Sequence, residues 1–407
     1  MTVRTFASLT FAVLTASAIA QTIKHQQNFD TFTLGNLKPQ GGYDVDLKSN
    51  STATVVASPT RSGNRAVRIA YGNPVSAGSN YAFFSFNDNY NRDTYVATVW
   101  ARSNSSANNL TSVGMIAFGT NSQDVPYQSA QVGFLSGNTA TTIGYLNSRF
   151  QFPVNDVATT GQWNKLQLTV MNWNNVLNFT GTHHGTVNGE IVGPAAPGAS
   201  SDYKTISDFD LFTFNQTGTN IEVFFDDIKV ERFSVNDFWI SGRVSYESVA
   251  PGADMSEWPV TVTLGDNGTF LESKTVTPDA DGYFRVKMDS KYGGMIDVYF
   301  KGALWLSKKA LTLDIPTAAE GDTNNDGFYD LSYYDGGFVK ALLAGDCNGD
   351  DVITTDDYLI ISDAFDTNEG DGGYDSRADL DNNGSITTDD YLYLSTNFDQ
   401  SGEAPTP

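Results

Sequence analysis

Trp163-Asn-Lys-Leu-Gln-Leu-Thr-Val170 alternates polar and apolar residues, with Leu166, Leu168 and Val170 on one side. A period of two is the pattern of a strand with one buried face. The same period recurs upstream in Tyr95-Val-Ala-Thr-Val-Trp-Ala-Arg102. It recurs downstream in Glu222-Val-Phe-Phe-Asp-Asp-Ile-Lys-Val-Glu231, which reads as a closing strand. No helical period stands out in residues 21–234, and a stretch this long made of strands predicts a two-sheet jelly-roll sandwich.

Beyond it, residues 235–319 read as shorter strands. Trp239-Ile-Ser-Gly-Arg-Val-Ser-Tyr246 and Trp258-Pro-Val-Thr-Val-Thr-Leu264 alternate, and Gly265-Asp-Asn-Gly268 is a hairpin-turn signal. Asp279-Ala-Asp-Gly-Tyr-Phe-Arg-Val286 supplies another turn and strand, and Met295-Ile-Asp-Val-Tyr-Phe300 follows. These predict a small Ig-like β-sandwich.

The 407-residue chain has 24 Lys plus Arg against 47 Asp plus Glu, a formal net charge of −23. That balance excludes a nucleic-acid binder, which needs clustered cations to neutralise phosphates. With 40 % hydrophobic and 13 % aromatic residues the chain can bury sizeable cores. One Cys excludes an internal disulfide, and three His leave little room for a His-rich metal site. Met1–Ala20 carries Arg4, an apolar stretch over Phe6–Ala16 and Ala18-Ile-Ala20, the pattern of a secretory signal peptide in 1–20. The run is shorter than the ~20 residues that span a bilayer. No other segment approaches that length, so no membrane span is expected and the product is secreted or held at the cell surface.

The acidity is local. Residues 321–403 hold 20 of the 47 acids, with only Lys340 and Arg377 as counter-charges. Within this section Asp346-Cys-Asn-Gly-Asp-Asp-Val-Ile-Thr-Thr-Asp-Asp-Tyr-Leu359 repeats after 33 residues as Asp379-Leu-Asp-Asn-Asn-Gly-Ser-Ile-Thr-Thr-Asp-Asp-Tyr-Leu392. Oxygen side chains fall at loop positions 1, 3, 5, 9 and 12: Asp346, Asn348, Asp350, Thr354 and Asp357, then Asp379, Asp381, Asn383, Thr387 and Asp390. Position 7 offers a carbonyl, from Val352 and Ser385, and position 9 can act through water. Such a loop wraps oxygens around a hard cation, and Ca2+ takes about six to eight of them. Ile353 and Ile386 at position 8 are suited to pairing one loop with the other. Position 6 needs a left-handed turn, taken by Gly384 and by Asp351. Tyr358, Ile361 and Phe365, like Tyr391, Leu394 and Phe398, then fall on one helix face. Asp356, Asp357, Asp389 and Asp390 lie near the helix starts, where the dipole favours negative charge. A third candidate loop begins at Asp322, with Asn324 and Asp326 in phase, but Tyr333 stands where the bidentate carboxylate belongs.

On these Asp-x-Asn-x-Asp starts, the Asp357 and Asp390 ends and the duplicated loop–helix unit, residues 320–403 resemble dockerin type I domains. The resemblance implies a small α-helical calcium-binding domain that binds cohesin modules through loop positions 10 and 11, here Thr355-Asp356 and Thr388-Asp389, and the following helix. These positions are more acidic than the usual Ser/Thr pair. The third unit and the Asp366–Ala378 spacer also depart from the compact two-repeat pattern. Gly242-x-Val244 and Asp281-Gly-Tyr-Phe284 resemble carboxypeptidase-regulatory-like spacer domains. Asn28-Phe-Asp-Thr-Phe32, Gly161-Gln-Trp-Asn-Lys-Leu166, Thr186-Val-Asn-Gly-Glu-Ile191 and Phe225-Asp-Asp-Ile-Lys-Val230 resemble laminin-G-like, concanavalin-type and carbohydrate-binding sandwiches. This last likeness implies Asp30, Asp226 and Asp227 as candidates for a structural calcium. The alternative is that they end strands or sit on a wet face.

Catalysis on the sandwich lacks a motif. Glu-x-Asp-x-Glu is absent, and residues 21–240 contain only Glu190, Glu222 and Glu231. Asp208-Phe-Asp210 places two acids on one strand face, a pattern expected of an edge strand. His183-His184 is expected in a turn with no nucleophile motif beside it, and Cys347 at an outward position of its loop. Tyr81, Phe83, Trp100, Tyr127, Trp163 and Trp173 are aromatic candidates for stacking on sugars, each weighed against a core role, with Trp173 the best placed for exposure. The expectation is therefore a mainly β, non-catalytic secreted protein. Its jelly roll would bind a polysaccharide or glycan, and its dockerin-like Ca2+ module would join it to a cohesin-like or cell-surface protein. A structural or adhesive surface protein is the first alternative, and a glycoside hydrolase or lyase the second.

Overall fold

The computed structural model describes residues 22–407 apart from 72–77, 90–93, 105–110, 122–125, 137–140, 146–147, 153–157, 172–181, 189, 192–195, 198–202, 216–220, 235–236, 251–252, 291, 316–332 and 339–340. The fold is mainly β. The first part is a sandwich of two antiparallel sheets. One sheet runs Thr182–Val187, Asn164–Met171, Thr94–Ser103, Glu222–Phe233, Ala66–Ala70 and Thr52–Val56 across its middle. The other runs Ser148–Phe152, Thr141–Tyr145, Pro126–Ser136, Thr111–Asn121, Tyr203–Asn215, Gly78–Asn89 and Asp44–Asp46. Leu166, Leu168 and Val170 are buried, as their alternation requires, and share a core with Ala97, Val99, Phe225, Phe209 and Met115. Each such side chain contributes about 1.5–3 kcal/mol by leaving water.

The second sandwich packs Tyr283–Met288, Phe238–Arg243 and Tyr333–Phe338 against Thr269–Val276, Val260–Asp266, Gly294–Gly302 and Lys308–Ile315. Its expected hairpin turns through Asn267 and Gly268, with φ of 48° and 79°, the two left-handed residues that a two-residue β-turn of this kind needs. Tyr333–Phe338 was expected in the calcium section. It forms a parallel strand beside Phe238–Arg243 instead, and Leu342 and Ala344 lie in the core of this sandwich.

The C-terminal module holds two helices, α1 (Thr355–Ala364) and α2 (Thr388–Thr396). Thr354 and Thr387 cap them, each closing a capping box with Asp357 or Asp390 three residues on. Ile353 and Ile386 are fully buried, but they do not pair one loop with the other. Each pairs with the segment that follows the opposite helix. Asp399 N donates to Ile353 O at 3.0 Å, and Asp366 N donates to Ile386 O at 3.0 Å. The two units are thus crossed. The expected helix face is narrower than its spacing suggested. Ile361 and Leu394 are buried, while Tyr358, Phe365, Tyr391 and Phe398 are 39–46 % exposed. Cys347, Ala364, Ala378 and Leu380 complete this core, and the second sandwich adds Leu306 to it.

Candidate calcium loops and ligand faces

The two loops share one hydrogen-bond scheme. Position 12 binds the loop back on itself: Asp357 accepts from Asn348 N at 3.0 Å and Thr354 N at 2.8 Å, and Asp390 accepts from the equivalent Asp381 N at 3.4 Å and Thr387 N at 2.9 Å, and also from Leu380 N at 2.8 Å. Position 1 accepts from position 6, Asp351 N to Asp346 at 3.0 Å and Gly384 N to Asp379 at 2.9 Å. Position 6 is left-handed in both, with φ of 71° at Asp351 and 84° at Gly384. Asn348 accepts from Asp350 N at 2.9 Å and Asp381 from Asn383 N at 3.1 Å, so positions 3 and 5 are aligned by short turns. Asp346, Asp357, Asp379 and Asp390 are buried, and the position-5 residues Asp350 and Asn383 form an exposed rim.

One oxygen from each of Asp379, Asp381 and Asp390 lies within 4.8 Å of the other two. No other trio of acids among the described residues meets this closeness. Burial, together with the charges of Asp390 and Asp379, raises Asp381 from its ordinary value. In the first loop Asp346 Oδ1 is buried with no hydrogen-bond partner among the described residues. An orphaned buried carboxylate oxygen and a converging acid trio are what a calcium-loop donor set would leave without its ion, so the residues fit Ca2+. Thr354 and Thr387 spend their hydroxyls as helix caps. Val352 bridges Ser401, and Ser385 Oγ donates to Asn368 at 2.8 Å. Asp322, Asn324 and Asp326 lie outside the described residues.

Cys347 does not point outward. It is 1 % exposed at the loop position where the second loop has Leu380, and burial, then Asp357 and Asp346, push its thiol up to about 12. Leu380 was the signal in the sequence, since equivalent positions of a repeat share an environment.

In the first sandwich Asp226 is fully buried, not on a wet face. It accepts from Arg61 N at 2.8 Å, Ser62 N at 3.3 Å and Asp227 N at 2.9 Å. Asp30 accepts from Asn64 N at 2.7 Å and Arg65 N at 3.0 Å. Ser62 Oγ donates to Asp227 at 2.6 Å. The three acids therefore pin the 61–65 loop. Burial, helped by the Asp227 carboxylate, pushes Asp226 up to about 7.

Asp208 and Asp210 do not mark an edge. Their strand, Tyr203–Asn215, lies between Gly78–Asn89 and Thr111–Asn121, and sequence alternation cannot reveal strand order. They stand on the outer face, because Phe209 and Leu211 face the core. The register sets Asp210 beside Phe83 and Ile116, Phe83 beside Asp44, and Tyr81 beside Asp46. Tyr81 and Phe118 meet edge to face at 6.3 Å. Burial, then the neighbouring Asp208, raises Asp210 well above its ordinary value, and its Oδ1 has no hydrogen-bond partner among the described residues. Trp100 lies elsewhere, in a cavity of about 760 Å³ between the sandwiches. Arg61 covers its ring at 4.2 Å, and Arg61 and Lys165 pair with Asp281 and Asp279 across the seam. Burial lowers Lys165 to about 8. Trp163 donates to Thr60 O at 3.1 Å. His183 and His184 belong to the strand Thr182–Val187, not to a turn. Trp173 and the side chain of Tyr127 lie outside what is described.

No protein-family model matches the chain, and no curated protein matches it. Solved structures with partial likeness include the cellulose induced protein Cip1, at 12 % identity and a TM-score of 0.37 over 51 % of this chain and 96 % of that one. A chain of a type II cohesin–X-dockerin complex from Acetivibrio cellulolyticus matches at 20 % and 0.30 over 40 % and 97 %. The CBM22-1 xylan-binding domain from Paenibacillus barcinonensis Xyn10C matches at 10 % and 0.29 over 52 % and 96 %. Likeness of this degree assigns no ligand or activity to this chain. Among the described residues no helix is long and apolar enough to cross a membrane.

Proposed function

We propose that this chain is an exported, non-catalytic modular protein. It binds polysaccharide on its first sandwich and is held to a cohesin-like or cell-surface protein by a calcium-loaded C-terminal module. One observation carries the reading. The module that gathers buried carboxylates into two loops also presents Tyr358-Leu359 on α1 and Tyr391-Leu392 on α2, each residue 40–61 % exposed at equivalent positions. Tyr358 and Tyr391 meet edge to face at 6.0 Å, so the two pairs form one patch. Asp356 and Asp389 are exposed one residue before each Asp357 and Asp390. Apolar anchors inside an acidic rim suit a protein partner with a basic surround. Export rests on the Met1–Ala20 pattern.

The polysaccharide side rests on the outer face that sets Tyr81 and Phe83 beside Asp44, Asp46, Asp208 and Asp210. Aromatic faces stack on sugar rings and carboxylates read hydroxyls. The test pairs pull-down on insoluble polysaccharides with calorimetry against a recombinant cohesin domain, with calcium and with chelator. Calcium-dependent cohesin binding lost in Leu392→Ala, and polysaccharide retention lost in Phe83→Ala, are expected. Neither activity in the wild type would remove the reading.

The raised Asp210 beside Asp208 favours a second reading, a hydrolase or lyase on that face, since a neutral carboxyl can act as a general acid. Reducing-sugar release or new ultraviolet absorbance, abolished in Asp210→Asn, would establish it in place of the non-catalytic one.

A further inference from the structure

The two loops follow one plan and differ in what stands behind the first carboxylate. In the second loop Asp379 Oδ2 accepts from the Tyr374 phenol at 2.6 Å, a neutral donor. In the first loop Asp346 Oδ2 is paired with the ammonium of Lys301. Lys301 comes from Gly294–Gly302 of the second sandwich, stands 3.2 Å from Asp351 Oδ1 and donates to Trp305 O at 3.2 Å. Asp346 is fully buried, and the oxygen left for an ion is its orphaned Oδ1.

We infer that Lys301 sets the calcium affinity of the first loop and makes it the weaker of the two sites. The inference rests on the calcium reading of both loops. Affinity in such loops follows ligand charge, and each loop offers three ligand-position carboxylates: Asp346, Asp350 and Asp357, then Asp379, Asp381 and Asp390. The count therefore does not separate them, and the ammonium does. It withdraws negative charge from the carboxylate that must face the ion, and it repels a dication at a buried place where screening is weak. Lys301 belongs to the sandwich, so loading the first loop works against a contact that holds the module to it. By linkage, weakening that contact strengthens the loop.

The test is calcium calorimetry on the full chain, with circular dichroism on every variant. The wild type should load in two steps separated by about tenfold or more, a common size for such coupling. Lys301→Met should raise the weaker step by about tenfold, Lys301→Arg should leave both steps in place, and Asp390→Asn should remove the tighter one. Two equal steps in the wild type, an unchanged titration in Lys301→Met, or loss of the weaker step in Asp390→Asn would overturn the inference while leaving the calcium reading intact. No calcium uptake by the wild type would overturn both.

Discussion

Replacing Arg285 by Met should destabilise the contact between the two sandwiches more than any surface change. Glu231 sits on the closing strand of the first sandwich with its side chain 1 % exposed. Its partners are Arg285 from the second sandwich and Lys229, the latter at 2.7 Å. Burial alone would raise this carboxyl. Arg285 and Lys229 outweigh burial and hold it below its ordinary value. Removing one partner of a buried pair costs about 3–5 kcal/mol, and the retained Lys229 brings the expected loss to or just below the bottom of that range, about 2–3 kcal/mol at pH 7. Glu231→Gln in the same background should return part of it by removing the stranded charge. The pH dependence has a definite sign. A carboxyl depressed in the fold contributes stability above its unfolded-state pKa, and that contribution is lost as pH falls through the folded value. In the variant the carboxyl rises, so protonation relieves it sooner, and the gap to wild type should narrow as pH falls from 7 to 4. Thermal melts at several pH values in moderate salt measure both effects. A loss under about 0.5 kcal/mol, the size of an ordinary surface substitution, or a gap that widens on acidification, would refute the reasoning.

Three further outcomes are expected. Leu394→Ala should cost about 2–5 kcal/mol, as core truncations do, while Leu392→Ala should stay within about 0.5 kcal/mol in a melt and still weaken cohesin binding. A Cβ at Gly402 would collide with the Asp351 carboxylate, which Ser307 N and Oγ hold at 2.7 and 2.5 Å, so Gly402→Ala should cost about 1–3 kcal/mol, the usual range for overpacking. Chelation should reduce the helical circular-dichroism signal and lower the melting of the C-terminal module before that of the first sandwich, because metal-binding energy is folding energy in small loops. An unchanged spectrum would count against it.

The parts legible in the sequence are those fixed by near neighbours. Leu166, Leu168 and Val170 announce their strand because alternation is local. Asp379, Asp381 and Asp390 announce their loop because twelve residues of chain bring them together, and Thr387 caps the helix three residues before the acid that answers it. Apart from Cys347, whose burial the repeat itself signalled through Leu380, the misreadings below depend on distant partners. Asp208-Phe-Asp210 looks like an edge until Thr111–Asn121 and Gly78–Asn89 are seen on either side. Tyr358 and Phe365 share a stripe with Ile361, yet the stripe meets only enough partner surface to bury one of them. Tyr333 reads as a failed ligand because its strand partner, Trp239, lies far back in the chain. Lys301 carries no motif. Only the docking of the sandwich brings it to Asp346.

Each loop–helix unit closes on a segment that the other unit supplies: Ile353 on Asp399 and Gln400, Ile386 on Asp366 and Thr367. Neither half contains its own closing segment. A chain cut in the exposed stretch at 369–373 should therefore stay together as two non-covalent fragments. A solitary copy of the unit would complete itself only by meeting a second copy, so the tandem repeat converts what would otherwise be a concentration-dependent dimer into a property of a single molecule.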